Sequence, residues 1–70
     1  MIEVFINGEK EMIKDGMSML EVLVERAVEP QMVAVEVNGE LVDRENYESL
    51  AISSGDRIEY LFYMAGGGCS

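Results

Sequence analysis

Seventy residues with 14 acidic against 5 basic side chains, a formal charge of −9 and no histidine leave room for one small domain. That charge balance argues against nucleic acid and anionic membrane surfaces as partners, since both attract Lys/Arg-rich patches. It favours a basic groove on another protein.

Cys69 is the single cysteine, so no disulfide can staple a core that typically supplies no more than ~3–5 kcal/mol. Nothing has zinc-ligand spacing or pairs a nucleophile with a base, so no metal, no bound cofactor and no catalytic residue are expected. Met1-Ile2-Glu3-Val4 lacks the basic then apolar pattern of a signal peptide. No apolar run approaches the ~20 residues of a membrane span. A cytoplasmic protein is the expectation.

Along the chain, Ile2, Val4 and Ile6 alternate with Glu3 and Phe5, and Asn7-Gly8 follows. Both turn residues tolerate positive φ, the strongest short hairpin signal. Glu9 to Lys14 reads as the return strand, with Met12 or Ile13 inward, closing at Asp15-Gly16. Ser18 with Glu21 is a capping box, and Met17 with Val22 is placed as a hydrophobic staple. Leu20, Leu23, Val24, Ala27 and Val28 recur at helical spacing, and Pro30 stops the predicted helix. Leu20, Leu23, Val24 and Ala27 are its expected buried face, packing on Val4, Ile6, Val35 and Ile58.

Val33, Val35 and Val37 form a third strand ending at Asn38-Gly39, with a short strand at 40–42 pairing back. Arg44 to Leu50 reads as an irregular or short helical connection. Gly55-Asp56 turns into a last strand, Arg57–Met64, with Ile58, Tyr60 and Phe62 inward. Arg44 and Arg57 read as surface ion-pair partners, and Asp15 and Asp56 as turn residues. The fold class is α+β, a ββαββ mixed sheet of four or five strands packed on one helix. The favoured arrangement sets the first and last strands side by side and parallel. Residues 1–64 make the domain, and 65–70 a flexible glycine-rich tail.

The uncovered sheet face would carry Phe5, Leu61 and Tyr63 among Glu3, Glu36 and Glu59. An apolar patch rimmed by charge reads as a partner-binding surface. Gly66-Gly67-Gly68 has no Cβ atoms, so it can thread a narrow channel and bring a carbonyl close to a nucleotide. Residues 65–70 reach at most ~20 Å when extended.

Val33-Ala34-Val35-Glu36-Val37-Asn38-Gly39-Glu40, Arg44, Gly55-Asp56-Arg57-Ile58-Glu59 and Ala65-Gly66-Gly67-Gly68 together resemble the ThiS family. These are sulfur carrier proteins of thiamine thiazole synthesis with a ubiquitin-like β-grasp fold. The resemblance implies that Gly68 is the terminus that becomes an acyl-adenylate and then a thiocarboxylate, with Gly66 and Gly67 threading the approach. It implies an E1-like adenylating enzyme of the ThiF type, which uses ATP, and a sulfur acceptor such as thiazole synthase. The catalytic groups then belong to the partners.

Two departures stand out. Asp43 precedes Arg44 where the family often has proline. More importantly, Cys69-Ser70 follows Gly68, so Gly68 is an amide and not a free carboxylate. The expected remedy is removal of Cys69 and Ser70 by a JAMM-type peptidase, as in carriers serving products other than thiamine. The alternative from another class is a non-catalytic ubiquitin-like interaction module that never forms an acyl intermediate. A molybdopterin-synthase small subunit is less favoured, because no proline-containing segment leads into the glycines.

Overall fold

The computed structural model describes residues 1–63. Its elements in chain order are β1 (Ile2–Ile6), β2 (Glu9–Ile13), α1 (Met19–Glu25), β3 (Val33–Val37), β4 (Glu40–Val42) and β5 (Arg57–Phe62). Short 3-10 turns occupy Pro30–Met32 and Arg44–Asn46. The strands form one sheet in the order β2-β1-β5-β3-β4. Four strands would make the minimal sheet; Glu40–Val42 is the fifth, added antiparallel at the β3 edge. β1 and β5 are parallel neighbours, as expected, and the other pairings are antiparallel.

Both hairpins turn on Asn-Gly with positive φ at both residues, 51° and 86° at Asn7-Gly8 and 54° and 86° at Asn38-Gly39. These turns also clamp β5. Asn7 N–H donates to the Ile58 carbonyl and Tyr60 N–H donates to Asn7 Oδ1. On the other side, Asn38 N–H donates to the Arg57 carbonyl and Arg57 N–H donates to Asn38 Oδ1. Asp56 serves its turn: one carboxylate oxygen accepts from Ser53 N–H and the other from Asn38 Nδ2.

Ser18 caps α1 as the sequence indicates, with Glu21 N–H donating to its hydroxyl and Ser18 N–H donating to the Glu21 carboxylate. The far end differs from expectation. Pro30 does not stop the helix, which ends at Glu25 with Arg26 as C-cap and Ala27 left-handed at φ 60°. Val28 N–H reaches back to Leu23 O at 2.9 Å and Ala27 N–H to Val24 O at 3.0 Å. This is the Schellman closure, with alanine where glycine is usual.

The shortened helix rotates the burial assignment. Met19, Val22 and Leu23 are buried, while Val24 is 63% exposed and Ala27 lies on the surface. The buried stripe therefore lies one position earlier than the spacing of Leu20, Val24 and Ala27 indicates. It closes on Val4, Ile6, Ile13, Val35 and Ile58. Val28, past the helix, is also buried, as are Tyr47 and Ile52 from the 43–56 connection. Ile13, not Met12, faces inward. The inner row of β5 fades along its length: Ile58 is fully buried, Tyr60 partly, and Phe62 is 59% exposed. Val33, the register partner of Phe62, is only 2% exposed, so burial at that end is kept on β3 and lost on β5. Phe62 instead packs edge-on against Tyr60, with ring centroids 5.9 Å apart.

Among the described residues the ion pairs are Lys10–Glu3 at 3.3 Å and Arg26–Glu11 at 3.2 Å. The second tethers the end of α1 to β2 across the inner side. Arg44 and Arg57 form no ion pair among these residues, contrary to expectation. No helix of the described residues is long and apolar enough to cross a membrane.

Candidate functional site

Strand pleating decides what the uncovered sheet face presents. Since Ile58 is wholly buried, its neighbours Arg57 and Glu59 must point away, and Leu61 follows Glu59 on the same side. Leu61 is 74% exposed and Tyr63 59% exposed, two residues apart at the end of the described chain. Tyr63 is anchored there by its backbone, because its N–H donates to the Met32 carbonyl at 2.9 Å. Phe5 is half-buried on the same face.

Register sets the spacing of these residues. Phe5 pairs with Arg57, Glu36 with Glu59, and Ala34 with Leu61. Arg57 and Leu61 are four residues apart, so Phe5, one strand over from Arg57, stands roughly 14 Å from Leu61 at the usual rise and strand spacing. Glu59 lies between them. Shallow depressions result, among them one lined by Phe5, Gly8, Arg57, Ile58 and Glu59 and another by Asn7, Ala34, Glu36, Glu59, Tyr60 and Leu61. Glu59 borders both. The face is thus two apolar areas divided by a carboxylate.

Tyr47, in the 43–56 connection, is buried at 3% exposed, and its carbonyl accepts from Leu20 N–H. Burial pushes its phenol above the ordinary value of 10.0, and Tyr63 and Asp43 push the same way. Arg44 and a backbone hydrogen bond at Val35 act in the opposite direction. Tyr47 is thus part of the hydrophobic core. Among the described residues no group of three His, Cys, Asp or Glu is placed to hold a metal ion.

Gly66, Gly67, Gly68, Cys69 and Ser70 lie outside the described residues. The signals missed in the sequence are Ala34, Asn7 and the direct opposition of Glu36 to Glu59. Alternation put both glutamates on the outer face, but their register depends on pairing between strands far apart in the chain.

A five-stranded mixed sheet wrapped on one helix, with parallel first and last strands, is the ubiquitin-like β-grasp architecture. The chain belongs to the ThiS family, whose model matches residues 3–68. It is similar to the crystal structure of the thiamine biosynthesis protein ThiS from Geobacter metallireducens, with a TM-score of 0.83 and 29% identity, covering 94% of this chain and all of that one. The solution structure of a thiamine biosynthesis protein from the same organism gives a TM-score of 0.78, again at 29% identity, covering 94% of this chain and 88% of that one. A thiazole synthase from Paramagnetospirillum magneticum (strain ATCC 700264 / AMB-1) is 33% identical over 66 residues. The alignment takes in 94% of this chain and only 20% of that relative.

Proposed function

We propose that this chain is a sulfur carrier that acts as a protein co-substrate, with Gly68 as its reactive terminus. The observation that carries the reading is the extent of the family match, which runs from Glu3 and stops on Gly68, leaving Cys69 and Ser70 outside it. Cys69 holds Gly68 as an amide, so Gly68 has no carboxylate from which an acyl-adenylate can form. Hydrolysis of the Gly68–Cys69 bond by a peptidase, of which a JAMM-type zinc enzyme is the proposed kind, frees the carboxylate.

The carboxylate then attacks the α-phosphate of ATP on a ThiF-type enzyme, forming an acyl-adenylate and releasing pyrophosphate. A sulfide-level donor attacks the acyl carbon, AMP leaves, and a thiocarboxylate remains. Glycine suits both steps because no side chain crowds the carbonyl. The thiocarboxylate passes its sulfur to an acceptor, and the thiazole synthase relative makes an enzyme of that kind the proposed one. Such chemistry belongs in the cytoplasm and assigns no catalytic group to this chain. Leu61, Tyr63 and Phe5 are the proposed docking residues, since they lie on the outer face of the sheet and Leu61 and Tyr63 stand close in sequence to Gly66-Gly67-Gly68.

Pyrophosphate exchange into ATP tests the first step. With a ThiF-type enzyme from the same genome, a protein ending at Gly68 supports exchange and the protein retaining Cys69-Ser70 does not. Equal exchange by both would remove the need for cleavage.

A further inference from the structure

Glu36 and Glu59 are direct partners in the antiparallel β3–β5 ladder, both exposed on the outer face. Directly opposed side chains have Cβ atoms only about 4.5–5.5 Å apart, and like charges so placed destabilise a sheet. The nearby cation on the same strand, Arg57, forms no ion pair with either among the described residues. The two carboxylates are also not an isolated acidic pair. They share the lining of a depression with Ala34 and Leu61. A charged head flanked by apolar surface is what a long cationic side chain needs, because its methylenes pack while its head stays paired.

Resting on the carrier reading above, we propose that Glu36 and Glu59 together receive one arginine side chain of the adenylating enzyme. The guanidinium is a planar fork of five donors and can engage two carboxylates at this spacing at once. Its stem lies over Ala34 and Leu61, so the arginine joins the charged and apolar parts of the face into one site. The repulsion carried by the free domain is relieved when the enzyme docks. This makes the pair a specificity device: a partner without a cation at that point must bury two like charges together.

The test measures binding of the full chain to a ThiF-type enzyme of the same genome by calorimetry, with urea unfolding of each variant in parallel. Glu36→Gln and Glu59→Gln should each raise Kd by roughly tenfold or more, the range for losing a hydrogen bond to a charged group. The double variant should lose less than the product of the two, because both hold one group. The urea midpoint should rise in each, since repulsion is removed. Replacing the enzyme's arginine by glutamate should abolish binding, and Glu59→Arg should restore it.

Unchanged Kd in both variants, with the unaltered protein binding normally, overturns the arginine site and leaves the carrier reading standing. A lowered urea midpoint alongside weaker binding also overturns it, because the pair would then be structural. Should the full chain not bind, the same variants are measured in the protein ending at Gly68; absence of binding by both unaltered forms removes the carrier reading and this site with it.

Discussion

The side-chain carbonyl of Asn7 accepts the backbone N–H of Tyr60 at 2.9 Å, although 53 positions separate the two residues. β1 and β5 pair through only Phe5–Arg57 and Ile6–Ile58, and the Asn7 side chain continues the ladder after β1 has turned away. One residue thus makes the hairpin turn, through its φ of 51°, and binds the strand that carries Leu61.

Asn7→Gly separates the two roles, because glycine keeps the positive φ and loses the acceptor. The expected cost is about 0.5–1.5 kcal/mol, the net worth of a hydrogen bond whose donor can turn to water. Urea unfolding measures it. An unchanged midpoint would mean that the Tyr60 contact holds nothing.

Ala27 occupies a left-handed position that costs an L-residue about 1–2 kcal/mol. Ala27→Gly should therefore raise the urea midpoint, by less than that full amount, because glycine also gains freedom in the unfolded chain. A lowered midpoint would contradict the Schellman closure at the end of α1.

Leu23 and Val24 are adjacent and oppositely placed, one wholly buried and the other mostly exposed. Leu23→Ala should cost about 2–5 kcal/mol, enough to unfold much of so small a domain. Val24→Ala should stay within about 0.5 kcal/mol, as surface changes do. Similar costs for the two would place the helix face wrongly.

Tyr47 makes stability depend on alkaline pH. Its phenol is raised in the folded state, so between the ordinary value of 10.0 and the folded value only the unfolded chain gives up the proton. Deprotonation of the unfolded chain alone favours unfolding. Stability from this group is full below about pH 10 and falls as pH rises through the folded value. Denaturation curves from pH 8 to 11 should show that fall, and Tyr47→Phe should flatten it.

The sequence made most of the fold legible where the signal is local. Two Asn-Gly turns, alternating valines and the Ser18–Glu21 box each depend on neighbours within four residues, and each forms as read. The helix end failed because alanine in a left-handed C-cap carries no sequence mark, whereas Pro30 offers a plausible stop. Tyr47 and Ile52 went unnoticed because an irregular segment has no period to show which side is inward. On the candidate site, alternation from Ile58 was enough to expose Glu59 and Leu61. The division of the face by Glu59, and its opposition to Glu36, required the β1–β5 and β3–β5 registers.

The central claim is that Gly68, once freed, carries sulfur. Intact-mass measurement decides it after a protein ending at Gly68 is incubated with ATP, a cognate ThiF-type enzyme and a sulfide donor. The expected product is heavier by the exchange of one oxygen for one sulfur, and the protein retaining Cys69-Ser70 should emerge unchanged. An unaltered mass for the Gly68-terminated protein, with an enzyme shown to bind it, would contradict the account.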